Sequence, residues 1–525
     1  MSTTDGVTAP KISVQSVCQI TALENVSERT CQNGQYVVVE RLVKKGKLKG
    51  RYKVRVVGSQ KVFAIKEENL VPCTHVPSIL LQCPSAPGAR TSKSVSPDFP
   101  LVGDAGAVLS SCQSLLSFVG NAYAVIDHDK VASFAADLSD ALREGGKVGQ
   151  TLKKGGTGAC RRLPLQFATT DHQINFWVVK NLLHFGSGFV GTASELADVV
   201  DRGCLSIFLS RSPKFDAEFM STFKLHDVQE FFGLKVEEDV NVIGSAVKQT
   251  KLGGAKLPLA QLIVSTMNKC GEKLRRLGCR DFAALLTSVR TIMLRPPLSG
   301  DVSAEPSRAA APAIASIVKE IVAARPSLDA AGVMVATLAY CFDSFRDFSV
   351  FQAIEDNGDA SNADADGDAA TWRLHPVYFF CNAQAAVLDV IRVLGDAKVD
   401  SWDSIDAGSF HLGADAGSVS HFLATGLIRA GPALVEEQQK VLASEKVVPL
   451  FKPDTHATNA LRAASVVVSA AVCERAGLKS SELQYYLEAT HASQNEANVD
   501  GSSAGTDTAS ANTSIQFAVQ GTPYF

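Results

Sequence analysis

The chain has 525 residues, 46% of them hydrophobic and 20% charged, with a formal net charge of −3. That length suits two or more domains with a sizeable core, and so small a charge creates no global field that demands nucleic acid or an anionic membrane. The sequence contains no run of about 18 apolar residues, no charged-then-apolar leader and no C-x-x-C pair among its twelve cysteines, which argues against a membrane span, a secretory signal and a structural zinc site.

In chain order, residues 1–30 read as a flexible leader, and the scattered cysteines suit the reducing cytoplasm. Residues 31–75 carry short β-branched runs, Tyr36 to Val39, Tyr52 to Val57 and Lys61 to Ile65, punctuated by Gly46, Gly50 and Gly58. Such runs predict a small SH3-like β-barrel. Its ending, Lys66-Glu67-Glu68-Asn69-Leu70, resembles that of small barrels with a Glu-Asn-Leu final strand. From Arg41 to Lys66 there are ten Lys or Arg and no acid. That run is either a solvated barrel surface or a patch that contacts RNA, other phosphates or protein. Residues 76–103, rich in Pro and Ser, read as a linker.

From residue 104 to 491 the period turns helical. Val108, Leu109, Cys112, Leu115, Leu116 and Val119 share one helix face, and Val131, Phe134, Ala135, Leu138 and Leu142 share the next, capped by Asp127 or Asp129. Further helices are expected at 192–200, 214–222, 225–233, 258–276, 313–324, 328–341, 382–394, 418–428, 434–443 and 458–475, so the fold class is mainly α. Insertions fall near 296–312 and 355–370. In the second, Asn362 to Gly367 imitates the start of a calcium loop, but Arg373 stands where the bidentate Glu belongs. Residues 492–525 read as a mostly disordered tail with an aromatic end that docks back on the core. Gly186, Gly188 and Gly191 spell G-x-G-x-x-G, with Asp201 downstream. That motif counts as a dinucleotide fingerprint only inside a βαβ unit, and the chain around it reads as helix after helix.

A series of landmarks then appears in order. It comprises Asn121-Ala122-Tyr-Ala-Val125, Leu183-His184-Phe185-Gly186-Ser187-Gly188-Phe189 and Phe345-Arg346-Asp347. It continues with Phe380-Cys381-Asn382-Ala383-Gln384 and Asp389, Gly413-Ala414-Asp415, Leu461-Arg462-Ala463 and Gln484-Tyr485-Tyr486-Leu487. In this order they resemble the queuosine salvage protein family, the queuosine 5'-phosphate N-glycosylases. The resemblance covers about Asp104 to Phe525 and says nothing of the barrel.

The resemblance implies a helical fold similar to DNA glycosylases and hydrolysis of a nucleotide to free queuine for tRNA modification. It implies no metal or organic cofactor. Among the matched positions, Asp415 is the candidate catalytic carboxylate, with helix capping as its other reading. Phe185 stacks on the base or is a core Phe. Gly186 and Gly188 let backbone approach the ligand or end a helix. Asp389 binds ligand or holds a basic partner, and Arg462 meets a phosphate or a carboxylate. His184, His421 and His456 read as structural histidines. The family's Lys-Arg pair is replaced by Cys381-Asn382, its Asn by His184, a Glu by Ala460, and its late Asp and Trp by Gln484 and Glu488. Two functional readings follow: an N-glycosylase with rebuilt contacts, or a non-catalytic paralogue that binds a ligand or acts as a scaffold.

Overall fold

The computed structural model describes residues 17–20, 36–43, 49–56, 62–73, 105–143, 167–185, 193–210, 215–241, 248–254, 256–294, 312–355, 371–397, 399, 402–408, 410–443 and 455–487. Residues 1–16, the Pro/Ser-rich linker, the cores of both insertions with the calcium-loop mimic, the C-terminal tail, and Gly186, Gly188 and Gly191 lie outside them. The chain divides into two compact units, residues 1–100 with 350–376 and residues 101–349 with 377–525.

In the N-terminal region, strands β1 (Val17–Ile20), β2 (Tyr36–Leu42), β3 (Arg51–Val56), β4 (Val62–Lys66) and β5 (Leu70–Cys73) form one sheet in the order β4-β3-β2-β1-β5. A 3-10 turn at Glu67–Asn69 precedes β5. The pairs are antiparallel. Cys18, Val37, Val39, Tyr52, Val54, Ile65 and Leu70 form its buried cluster. Strand β1 lies in the stretch that the sequence places in the leader; four residues are too few for alternation to stand out.

The second unit is mainly helical. Its elements are α1 (Ala105–Val119), β6 (Ala124–Ile126), α2 (His128–Arg143), α3 (Thr170–Leu182), α4 (Ala193–Leu209), α5 (Ala217–Ser221), α6 (Leu225–Phe232), β7 (Glu237–Asn241) and β8 (Lys248–Leu252). There follow α7 (Leu257–Leu277), α8 (Phe282–Leu294), α9 (Pro312–Ala324), α10 (Ala330–Cys341), α11 (Cys381–Asp396), α12 (Ala416–Ala424), β11 (Ile428–Ala430), α13 (Pro432–Ala443) and α14 (His456–Ala476), while β9 (Phe348–Glu355) and β10 (Thr371–Tyr378) fall largely in residues 350–376 of the first unit. Residues 480–487 are also helical.

Helix α14 runs through the core. Its Leu461, Ala464, Val468 and Val472 join Val131, Ala135 and Leu138 of α2 and Phe422 of α12 in one apolar cluster. A helix apolar on most sides has to be enclosed, and α1, α2, β6 and β11 enclose this one. The carboxylate of Asp127 caps α2 by accepting from Lys130 N at 3.2 Å.

Three short strand pairs, β6 with β11, β7 with β8 and β9 with β10, interrupt a domain expected to be wholly helical. Their segments, such as Glu237–Asn241 and Lys248–Leu252, lack the β-branched alternation that marks a half-buried strand. Helix α12 stops at Ala424, earlier than expected, because Gly426 at φ +73° turns the chain into β11. The segment before Gly186 is helix α3 and the one after Gly191 is helix α4. Among the described residues, then, the element before the motif is a helix and not the strand that a dinucleotide site requires.

Helix α7 meets α5 at Gly271. A Cβ there would fall 2.6 Å from Ala217 O and clash with the backbone nitrogen of Ser221. Gly271→Ala should therefore destabilise the protein by about 1–3 kcal/mol, read as a lower urea midpoint, because backbone cannot yield as a side-chain tip does. An unchanged midpoint would show that the α5–α7 contact is not close.

Candidate functional site

The landmarks at Asp347, Cys381, Asp415, Arg462 and Gln484 are far apart in sequence and share one hydrogen-bonded network. Arg462 of α14 donates from Nη1 to Asp347 Oδ1 at 2.9 Å and from Nη2 to Oδ2 at 2.6 Å. Its Nε donates to Ala414 O at 2.9 Å. The guanidinium lies 3.8 Å from the Phe379 ring centroid, and both charged side chains are buried. A planar fork matches a carboxylate with two parallel bonds, which Lys does not.

Asp347 also organises the start of α11. Its carbonyl accepts from Phe379 N and Phe380 N, and its Oδ2 accepts from Cys381 N at 3.3 Å. A carboxylate at a helix N-terminus satisfies a free N–H and complements the dipole. Phe380, at the helix cap, has φ +46°, the left-handed region that a bulky residue enters only when its surroundings force it. The neighbouring Arg346 turns the other way. It donates to Ala339 O and Tyr340 O, the last carbonyls of α10.

The segment 411–415 is held on several sides. Gln384 of α11 accepts from His411 N at 3.0 Å and donates to His411 O at 3.1 Å. Ser465 of α14 donates to Gly413 O, and Leu412 N donates to Ser480 Oγ at 3.1 Å. Gly413 takes φ +104°, and a Cβ there would collide with Ser469.

This segment delivers Asp415 to the N-cap of α12. Its carboxylate accepts from Ser418 N at 2.9 Å, Ser418 Oγ at 2.6 Å and Gln484 Nε2 at 3.2 Å. A carboxylate offers about four acceptor positions, so three fixed donors orient it closely. Asp415 is half-buried.

Asp389 lies on α11 eight residues beyond Cys381, about 12 Å along the helix axis. It is buried, accepts from Asn181 Nδ2 at 2.9 Å, and pairs with Arg392 Nη2 at 3.5 Å. Arg392 in turn lies 5.0 Å from the Tyr485 ring centroid and 5.9 Å from that of Trp177. Asp201 pairs with Lys180 at 2.7 Å. Phe185, just past the end of α3, is completely buried. His421 packs against Phe134 and Phe422, and His456 stacks on Tyr123. Cys381 and Asn382 are both buried.

Of the expected ligand contacts, Arg462 and Asp389 therefore face protein partners and present no charge to solvent. Asp415 and Arg462 meet through Ala414, whereas Asp389 belongs to a second cluster with Asn181 and Arg392. Composition and periodicity gave no role to Asp347, Gln384, Ser418 or Gln484. Asp347, Gln384 and Gln484 stood within the landmarks, but nothing local points to the partner of Asp347 at a separation of 115 residues.

Burial is the main influence on nearby thiols. It pushes Cys381 well above the ordinary thiol range, aided by Asp415 and Asp347 and opposed by Arg462. It pushes Cys112, which donates to Tyr378 O, up to about 12. Such thiols are poor nucleophiles and metal ligands. Among the described residues, no group of three or more His, Cys, Asp or Glu side chains converges to hold a metal ion. No described helix is long and apolar enough to cross a membrane. No family model and no curated protein matches the chain.

Asp347→Asn leaves the Arg462 guanidinium buried without its counter-charge. The expected loss is about 3–5 kcal/mol, while the double change Asp347→Leu with Arg462→Met should cost less than that. Urea denaturation of the three proteins measures this, and a double variant no better than Asp347→Asn would remove the ion pair as the coupling element.

Burial also lowers the pKa of His411. The unfolded chain then binds a proton that the folded chain resists, so stability is full above about pH 6.5 and falls as pH drops below it. Thermal denaturation between pH 7.5 and 5.5 should show this loss, to which His456, also lowered by burial, contributes, and His411→Asn should reduce it. An unchanged pH profile in that variant would assign the effect elsewhere.

Proposed function

We propose that the helical unit is an N-glycosylase of the queuosine salvage type. It would hydrolyse queuosine 5'-phosphate or a related nucleotide and release queuine for tRNA modification. The observation that carries this reading is convergence. Landmarks that suggested the resemblance one by one, Asp347, Cys381, Ala414-Asp415, Arg462 and Gln484, touch one another through named hydrogen bonds. A chance series of short matches has no reason to meet in space. The mainly helical architecture also fits the implied fold.

In this reading Asp415 is the catalytic carboxylate. Breaking an N-glycosidic bond builds positive charge on the sugar, and a fixed carboxylate stabilises it or orients the attacking water. Ser418 and Gln484 aim that carboxylate, and the 411–415 segment holds its position. Arg462 and Asp389 are positioning residues. Phe185 would stack on the base, with Gly186 and Gly188 admitting close backbone approach. Because Phe185 is buried, the base must displace side chains that now cover it. The phosphate needs a cation or helix N-terminus other than Cys381 and Asn382, which are uncharged.

That burial, with the missing Lys-Arg pair, favours a second reading: a non-catalytic paralogue that binds a ligand or serves as a scaffold. The N-terminal sheet is proposed to be an SH3-like barrel. Its meander, the 3-10 turn before β5, and the pairing of β1 with β5 support that reading.

The assay is chromatographic detection of free queuine from queuosine 5'-phosphate. Asn also caps helices, so Asp415→Asn should keep the fold. Turnover should fall about 100- to 1000-fold with KM little changed. Equal rates would remove Asp415 from the chemistry. No release by folded wild-type protein would favour the non-catalytic reading.

A further inference from the structure

We infer that a phosphate monoester binds at the cluster around Trp177, with Arg392, Lys180 and the indole N–H as its donors. Binding of phosphate is independent of the proposed function; its assignment as the 5'-phosphate of the nucleotide rests on that reading.

Two packed helices build the cluster. On α3, Trp177 and Lys180 stand three residues apart, and on α11 so do Asp389 and Arg392. Residues at that spacing share a helix face. Asn181 joins the two faces, since its Nδ2 donates to Trp177 O and to Asp389 Oδ2, each at 2.9 Å. Two cations thus lie around one indole ring. Lys180 Nζ is 5.3 Å from the Trp177 ring centroid, and Arg392 Cζ is 5.9 Å from it. The Tyr485 ring, 5.0 Å from Arg392 Cζ, orients the same guanidinium.

Hydrogen-bond accounting leaves donors unspent here. Trp177 is 4% exposed, and its Nε1 is buried with no partner. A buried indole N–H ordinarily has one. Arg392 Nε is likewise buried and unpartnered. Among the described residues, the acceptor of Arg392 is Asp389 Oδ1, 3.5 Å from Nη2. A strong charged bond measures about 2.7–2.9 Å, and a guanidinium carries about five N–H groups to satisfy. Asp389 has a closer partner in Asn181.

A ligand rich in acceptor oxygens answers these donors. The terminal oxygens of a phosphate monoester accept in pairs from a planar guanidinium, and others remain for an indole N–H and an ammonium. Asp201 and Asp389 balance Lys180 and Arg392, so the cluster selects by donor geometry rather than by net field. Side-chain exposures of 9% for Lys180 and 11% for Arg392 leave a narrow approach from solvent. The helical segment 480–487 touches both this cluster, through Tyr485, and the Asp415 carboxylate, through Gln484.

The test is isothermal titration calorimetry of the full chain with ribose 5-phosphate, inorganic phosphate and ribose. Both phosphates should bind, and ribose should not. Arg392→Lys keeps the charge and removes the planar fork, so affinity for ribose 5-phosphate should fall about tenfold or more. Trp177→Phe keeps a ring beside both cations and removes the N–H, and affinity should fall about fivefold or more. A purely structural cation–π cluster would leave phosphate affinity unchanged in that variant. If Arg392→Lys does not fold, Lys180→Gln takes its place, with a fall of about tenfold expected. No phosphate binding by folded wild type, or wild-type affinity in these folded variants, overturns the proposal. Queuine release is read separately. Phosphate binding without release supports this site and contradicts the proposed function alone, whereas release with an unchanged KM in Arg392→Lys overturns the phosphate assignment alone.

Discussion

The buried ion pair of Asp347 and Arg462 is the constraint on which the rest of the candidate site depends. Two charges taken out of water incur a desolvation cost that their attraction offsets only when the geometry is good and the remaining bonds are made. Here the remaining bonds are made to the chain segments that need fixing. Asp347 anchors the start of the Cys381–Asp396 helix, and Arg462 anchors Ala414. The pair therefore joins the end of the Thr371–Tyr378 strand, the helix after it, the 411–415 segment and the core helix His456–Ala476. A wholly apolar substitute of the same volume would fill the space without specifying those orientations.

Asp415 sits one residue beyond the arginine-bound carbonyl. Its orientation is thus inherited from the core, through Arg462 to Ala414 O, and then refined by Ser418 and Gln484. The same carboxylate caps a helix, which is compatible with the catalytic role proposed for it. A cap fixes one oxygen against the backbone, and catalysis requires a carboxylate that does not reorganise as charge develops. Phe185 and Asp389 occupy buried positions around the helix pair Thr170–Leu182 and Cys381–Asp396, where Asn181 joins the two helices through Asp389.

The sequence was legible where the pattern was long. The periods over 258–276 and 458–475 match helices Leu257–Leu277 and His456–Ala476 to within a residue or two. It was opaque where structure depends on partners. Helix Thr170–Leu182 is buried along Ile174 to Leu182, so no polar face marked its period. The strand pair Glu237–Asn241 and Lys248–Leu252 is polar apart from Val240 and Leu252, and β-propensity could not reveal it. At the site, the short motif around Asp415 announced a cap or a catalyst equally well, and the fork between Asp347 and Arg462 required three-dimensional information.

A crystal structure of the chain grown with queuosine 5'-phosphate tests the proposed site most directly. The nucleotide should bind in the helical unit with its anomeric carbon beside the Asp415 carboxylate, within about one hydrogen-bonded water of it, and the base against the Phe185 ring. The Asp347–Arg462 fork should be unchanged in that complex. A nucleotide bound away from Asp415, or an Arg462 guanidinium that leaves Asp347 to take the phosphate, would contradict it.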